Sequence, residues 1–133
     1  MRIFLIAILF LLSNNVWSQK ISGSPLLDSV FNYICEINIQ HADIVVKQVI
    51  LETGWLKSEF LMSKKNLFGF RHKNYIIFKT WKESVDYYKK WQDKYYIDPK
   101  EDYYKFLIRI KYATESYPNY LSKIRFNKTC QTE

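Results

Sequence analysis

The sequence predicts one mostly helical α+β domain with a single small β-hairpin. The chain has 133 residues, of which 48% are hydrophobic and 25% are charged, with only three Gly and three Pro. These values fit one compact domain and exclude disorder as the main state. Apolar residues recur at helical spacing through most of the chain. Two aromatic and β-branched runs flank the polar residues 71–74, which is typical of a short hairpin.

The first 18 residues have the pattern of a secretory signal peptide. Arg2 provides a positive start, residues 3–12 form an unbroken apolar run, and Ser18 is the small residue before an expected cut at Gln19. The apolar run is too short to span a bilayer, which takes about 20 residues. We therefore expect export to the periplasm or the cell exterior, no stable membrane insertion, and a mature domain of residues 19–133.

The mature domain is basic. Residues 19–133 carry 19 basic and 13 acidic side chains, a net charge of +6. This balance suits an anionic partner, which by charge alone could be nucleic acid, a membrane surface or a cell-wall polymer. The basic residues are scattered and no nucleic-acid-binding fingerprint accompanies them, so we do not expect nucleic acid. The aromatic content of 18% exceeds what the core needs, so some rings are expected on a binding surface.

The first two helices have recognisable ends. Ser24 and Pro25 form a helix opening, and the apolar spacing predicts a first helix over residues 25–39. The second helix is expected to begin near residues 40–43 and to stop just past Glu52, because Gly54 supplies a left-handed residue. Residues 55–65 give a mixed signal, for a short helix or an irregular segment.

The second half contains the hairpin, over residues 66–79, and three more helices. Thr80 and Glu83 fit a capping box that opens a helix running to about Tyr96. A fourth helix is expected from about Glu101, and a last short helix over residues 116–124 with a proline in its first turn. Outside the cytoplasm, the two cysteines, Cys35 and Cys130, could join the first helix to the tail.

The residue inventory leaves carboxylate chemistry as the main catalytic option. Two histidines are too few for a multi-histidine metal site, and the sequence has no HExxH, Gly-rich phosphate loop or GxSxG. Glu52 is the best-placed acid, since apolar neighbours surround it and it lies in the last helical turn, at the negative end of the helix dipole. Both effects favour the protonated carboxyl, which is what protonation of a glycosidic oxygen requires.

Four segments in one order resemble the bacterial glucosaminidase family, glycoside hydrolase family 73. The family patterns are Q-x-x-L-E-(S/T)-G-W, N-L-F-G, W-x-x-S-V and Y-A-x-x-x-x-Y. The corresponding segments here start at Gln48, Asn66, Trp81 and Tyr112, the last together with residues 117–120. Each segment alone is a weak signal, but the ordered set over residues 43–124 is strong.

The resemblance implies a lysozyme-like fold and a role for particular residues. Glu52 takes the general-acid position, and Tyr112 matches a tyrosine across the cleft whose hydroxyl steadies a water or developing charge. The substrate-binding residues that we expect are Trp55, Asn66, Phe68 and Arg71. The implied partner is the glycan strand of peptidoglycan, and we expect a monomer with no cofactor and no metal.

The sequence departs from the family in its hairpin, which holds no acidic residue where some members carry a second glutamate. Glu83 is the nearest acid but is first a helix cap, and Glu59 and Glu115 are weaker substitutes. The choice between inversion through water and help from the substrate's N-acetyl group stays open. Two other functions also stay open: lytic transglycosylase chemistry, and an inactive wall-binding module.

Overall fold

A computed structural model of the chain describes residues 24–131, and six α-helices lie in that range. The expected signal peptide, residues 1–18, lies outside the described residues. The predicted predominance of helix is confirmed. The helices are α1 Pro25–Glu36, α2 Ala42–Thr53, α3 Glu59–Ser63, α4 Trp81–Tyr95, α5 Tyr103–Arg109 and α6 Tyr117–Ser122.

Local sequence explains both ends of α1. The Ser24 side chain accepts a hydrogen bond from the backbone N–H of Leu26, and Pro25 occupies the first helical position, as predicted. The helix ends earlier than expected because Asn38 adopts a left-handed conformation with φ 57°. The Ile39 N–H then bonds to the Ile34 carbonyl, which closes the helix end in the way a glycine usually does.

Helix α2 is the centre of the domain. It contacts α1 and α6, while α1 also contacts α4. Val45, Val46 and Val49 are fully buried, so α2 has apolar neighbours on more than one side. The predicted end of α2 is confirmed: Gly54 is left-handed, with φ 55°, and its N–H bonds to the Ile50 carbonyl.

The predicted β-hairpin is replaced by a loop. A single antiparallel bridge, Arg71 with Tyr75, is present, and no strand forms among residues 24–131. The Ile76 N–H also bonds to the Phe70 carbonyl at 2.9 Å. The Asn66 side chain adds to this pairing, because its amide donates to the Phe70 and Ile76 carbonyls and its oxygen accepts from the Phe70 N–H. One asparagine thus binds three backbone groups on the two sides of the loop and holds the sides together.

In the second half of the chain, local caps define the starts of α4 and α5, and a disulfide fixes the tail. Half of the predicted capping box forms at α4, where Thr80 Oγ1 accepts from the Glu83 N–H at 3.3 Å, while the Glu83 carboxylate accepts from the Lys79 N–H instead of the Thr80 N–H. Helix α5 starts two residues later than expected, since Asp102 caps it. Cys35 and Cys130 form a disulfide that ties the tail to α1. None of the helices within residues 24–131 has the length and apolar character needed to cross a membrane.

Candidate active site

Glu52 lies in the last turn of α2, partly buried beneath neighbouring loops. Burial raises the pKa of its carboxyl group, because removing water penalises the charged form. The fully buried Thr53 holds this helix end: its hydroxyl donates to the Val49 carbonyl and accepts from the Leu56 N–H. The structure therefore holds Glu52 in a setting that favours a neutral acid, as the sequence predicts.

Tyr117, at the start of α6, is the hydrogen-bond partner of Glu52. Its hydroxyl donates to Glu52 Oε1 at 3.2 Å, and this bond opposes the rise in the pKa of Glu52. The Tyr117 side chain is almost completely buried. Burial and the neighbouring Glu52 both raise the pKa of Tyr117, so it remains a neutral donor.

Gly69, in the Asn-Leu-Phe-Gly loop, lies against the second oxygen of Glu52. A Cβ placed on Gly69 would stand 3.3 Å from Glu52 Oε2, closer than an ordinary contact. Gly69 also has φ 67°, a left-handed conformation that L residues rarely adopt. Both observations favour glycine here, and the result is a carboxyl oxygen that no side chain of residue 69 covers.

The side chains of Asn66 and Phe68 shape this loop from inside. Both are buried, with exposures of 0% and 2%, and the Asn66 amide is fully engaged with backbone groups. Phe68 packs on the Tyr88 ring at 4.4 Å between centroids. Any effect of these two residues on a substrate would therefore be indirect, through the position of Gly69.

Gln48 lies one helical turn before Glu52, so both side chains emerge from the same side of α2. It is fully buried, and its Oε1 accepts from the Tyr88 hydroxyl at 2.6 Å. Its Nε2 is the one buried side-chain nitrogen or oxygen atom without a hydrogen-bond partner among residues 24–131. Gln48 lowers the pKa of Tyr117 and so opposes the larger effect of burial. Gln48 thus links the site to a buried polar network.

Tyr112 contacts the same loop rather than the acid. Its hydroxyl donates to the Phe68 carbonyl at 3.2 Å, and its ring lies 5.3 Å from the ring of Trp91 and 6.2 Å from that of Phe70. Burial raises the pKa of Tyr112, and the charge of Glu52 adds to the rise. Tyr112 is therefore near Glu52, with its proton directed to the backbone.

A comparison with protein-family models places residues 31–127 in one family. The matching model is Glucosaminidase, described as mannosyl-glycoprotein endo-beta-N-acetylglucosaminidase. The chain belongs to the glucosaminidase family. The match confirms the resemblance seen in the sequence and covers most of the chain, including Glu52 and all the neighbours described above. No curated protein and no solved structure matches the chain.

The two remaining substrate-binding candidates of this glucosaminidase-family chain are at the surface. Trp55 follows Gly54 directly, is 42% exposed, and has a left-handed backbone with φ 61°. A left-handed tryptophan is a strained arrangement of a kind found at functional sites. Arg71 is exposed beyond the loop, and its guanidinium lies over the Tyr75 ring.

The other acids of the sequence prediction lie in different surroundings. Glu83 Oε2 accepts from the Lys79 N–H at 2.8 Å, so its carboxylate serves the start of α4. Glu59 and Glu115 are exposed. The pKa of Glu52 responds to burial and to Tyr117, and no second carboxylate of the described residues contributes to it.

Sequence reasoning did not single out Tyr117, Gly69 or Gln48 as site residues. All three lie within or next to the segments that resemble the family patterns, and this position was the signal that could have identified them. What the segments do not give is which oxygen of Glu52 each neighbour faces, because that depends on how α6 and the loop fold onto α2.

Proposed function

We propose that this chain is an exported peptidoglycan hydrolase that cleaves the glycosidic bond after N-acetylglucosamine, with Glu52 as the general acid. The environment of Glu52 carries the proposal: a partly buried carboxyl of raised pKa at the end of α2, bonded to Tyr117 and flanked by Gly69. Membership of the glucosaminidase family supports the substrate class.

The two oxygens of Glu52 have different partners, which suggests how the proton is delivered. Oε1 accepts the Tyr117 hydrogen bond and therefore acts as the carbonyl oxygen of the neutral acid. Oε2 lies beside Gly69 and would carry the proton. Oε2 donates this proton to the glycosidic oxygen as the bond to the anomeric carbon breaks, and the leaving sugar departs as an alcohol.

Completion of the reaction needs an oxygen nucleophile at the anomeric carbon. Water attacking directly would invert the configuration, whereas attack by the substrate's N-acetyl oxygen, followed by water, would retain it. NMR of the first-formed sugar anomer distinguishes the two routes. Tyr112 is proposed to act as a positioning residue in either route, since its hydroxyl holds the carbonyl of Phe68 next to Gly69.

The exposure of each candidate side chain decides whether it can contact the substrate directly. Trp55 is proposed to stack against a sugar ring, because an exposed aromatic face that follows the acid closely in the chain suits the apolar face of a pyranose. Arg71 is proposed to contact an anionic group of the strand. Asn66 and Phe68 are proposed to act on binding through the loop alone, given their burial.

The test is digestion of purified peptidoglycan followed by mass spectrometry. Wild-type protein should release fragments with reducing N-acetylglucosamine ends, and Glu52→Gln should lose activity by about 10²-fold or more while remaining folded. Glu36→Gln is the matched control, because Glu36 is also in the last turn of a helix but is exposed.

Each other outcome assigns a different function. Anhydro-muramic ends would identify a lytic transglycosylase instead. Wall binding without product from the wild type would identify an inactive wall-binding module. Full activity of Glu52→Gln would remove Glu52 from the mechanism.

A further inference from the structure

A concave surface borders the loop that carries Gly69. This cleft has a volume of about 580 Å³ and lies between residues 70–72 and the second half of α4. We refer to it as the basic cleft, because four cationic or titratable nitrogen side chains line it and no acidic residue does. These four are Arg71, His72, Lys90 and Lys94.

The acids of α4 all face other partners. Asp86 accepts from the Tyr33 hydroxyl, and Asp93 pairs with Lys89 at 2.7 Å. Lys90 and Lys94 are one helical turn apart on one face, an arrangement in which like charges repel. Neither has an ion-pair partner among residues 24–131, and the same is true of Arg71. The cleft therefore holds uncompensated positive charge that suits an anionic ligand.

Aromatic rings line the same cleft. Phe70, Tyr87 and Trp91 are partly buried, while Tyr95 is exposed. The Phe70 ring lies 4.8 Å from that of Tyr87, and Trp91 lies 6.1 Å from Tyr95. Rings beside cations match a ligand that combines sugar or peptide faces with acidic groups.

The basic cleft adjoins the site around Glu52 through Gly69 and Tyr112. Phe70 directly follows Gly69, and a Cβ on Gly69 would point towards Glu52 Oε2. From the other direction, Tyr112 contacts the rings of both Phe70 and Trp91. A polymer bound at Glu52 would therefore reach the cleft with its next units.

We propose that the basic cleft binds the carboxylate groups of the stem peptides carried by the muramic acid units, next to the sugar held at Glu52. This inference rests on the proposed function and adds the part of the substrate that this surface recognises. A planar guanidinium at Arg71 can pair with a carboxylate through two parallel hydrogen bonds, and Lys90 and Lys94 add charge that is less directional. The cleft thus distinguishes peptidoglycan from a neutral N-acetylglucosamine polymer.

The test measures binding separately from cleavage. In the inactive Glu52→Gln background, sedimentation assays compare Lys90→Gln/Lys94→Gln and Arg71→Gln with a control, Lys100→Gln/Lys105→Gln. The control also removes two positive charges, but from exposed positions outside the cleft. The probes are peptidoglycan freed of phosphate polymers, the same material after amidase removal of stem peptides, and chitin.

We expect the Lys90→Gln/Lys94→Gln variant to bind intact peptidoglycan about 10-fold more weakly than the control, and chitin equally well. Amidase treatment removes the stem-peptide carboxylates and leaves only the lactyl carboxylate, close to the sugar ring, so it should remove most of that difference. Equal binding by the cleft variants and the control would overturn the inference, because the attraction would then come from the overall charge. A difference seen only with walls that retain phosphate polymers would also overturn it.

Failure of the inference and failure of the proposed function give different results. If the wild type cleaves peptidoglycan but the cleft variants bind like the control, the cleft inference alone fails. If the wild type releases no product and the cleft variants still lose binding, the catalytic proposal alone fails.

Discussion

The hydroxyl of Tyr117 lies 3.2 Å from Oε1 of Glu52 and donates a hydrogen bond to it. This bond favours the ionised carboxyl, whereas burial favours the neutral one, and burial is the larger effect. The pKa of Glu52 is thus raised by one influence and restrained by another. A general acid needs this balance, since it must hold a proton near neutral pH and still be able to release it.

Tyr117→Phe should move the pH dependence of activity. Loss of the hydroxyl removes the restraint, so the pKa of Glu52 rises further and the protonated acid persists to higher pH. The basic limb of the kcat/KM profile is therefore expected to shift to higher pH. Tyr120→Phe, an exposed tyrosine of the same helix, should leave the profile unchanged. A shift in the opposite direction would show that the Glu52–Tyr117 bond does not stabilise the ionised acid.

Glu52→Gln should change stability in a way that depends on pH. The folded-state pKa of Glu52 is raised, so its neutral form fits the fold, and wild-type stability falls as pH rises through that pKa. Glutamine does not titrate. The difference in Tm between Glu52→Gln and wild type should therefore increase from acidic to neutral pH, in favour of the variant. A constant difference measured by calorimetry across that range would contradict a raised pKa.

Tyr112→Phe tests whether one hydroxyl positions the loop. The variant leaves the Phe68 carbonyl without its donor, which should cost about 1 kcal/mol of unfolding free energy. We also expect kcat to fall by about 10-fold, because Gly69 and the contact with Glu52 are then less firmly held. Tyr104→Phe, on α5, is the control. Unchanged kcat together with a lower Tm would make Tyr112 purely structural.

The disulfide between Cys35 and Cys130 should affect stability without affecting the site. It closes a loop with a sequence separation of 95, for which chain entropy predicts about 4.7 kcal/mol of stabilisation. Replacing both cysteines with serine should lower the free energy of unfolding by about that amount, which a lower Tm would show. The catalytic rate at low temperature should stay unchanged, since no described contact of Glu52 involves the tail. An equal Tm for wild type with and without reductant would contradict the expected contribution.

The sequence predicted most of the fold and singled out Glu52, but not its neighbours Tyr117 and Gly69. Helix boundaries were predictable where caps are local, as at Ser24, Thr80 and Gly54. Residues 66–79 were wrongly expected to form two strands, because strand-like composition does not reveal that backbone pairing stops after one bridge while the Asn66 side chain bonds to Phe70 and Ile76. The roles of Tyr117 and Gly69 at Glu52 depend on contacts between segments distant in the chain, which periodicity does not encode.

Gly69→Ala tests the open space beside Glu52 Oε2, and Gly54→Ala is its matched control. Both glycines are left-handed, with φ 67° and φ 55°, so an alanine at either position should cost about 1 kcal/mol of stability. Only at Gly69 would the new methyl group meet the carboxyl, at 3.3 Å from Oε2, whereas nothing lies within 4 Å at Gly54. Since Oε2 is the proposed proton donor, kcat should fall about 10-fold further in Gly69→Ala than in Gly54→Ala.

The comparison uses Tm and kcat for both variants. Similar losses of Tm with a selective loss of kcat in Gly69→Ala would support delivery of the proton from Oε2. Equal kcat values in the two variants would show that the face of Glu52 beside Gly69 takes no part in catalysis. In that case the proton would have to leave from Oε1, and Tyr117→Phe would then raise activity at neutral pH by freeing that oxygen.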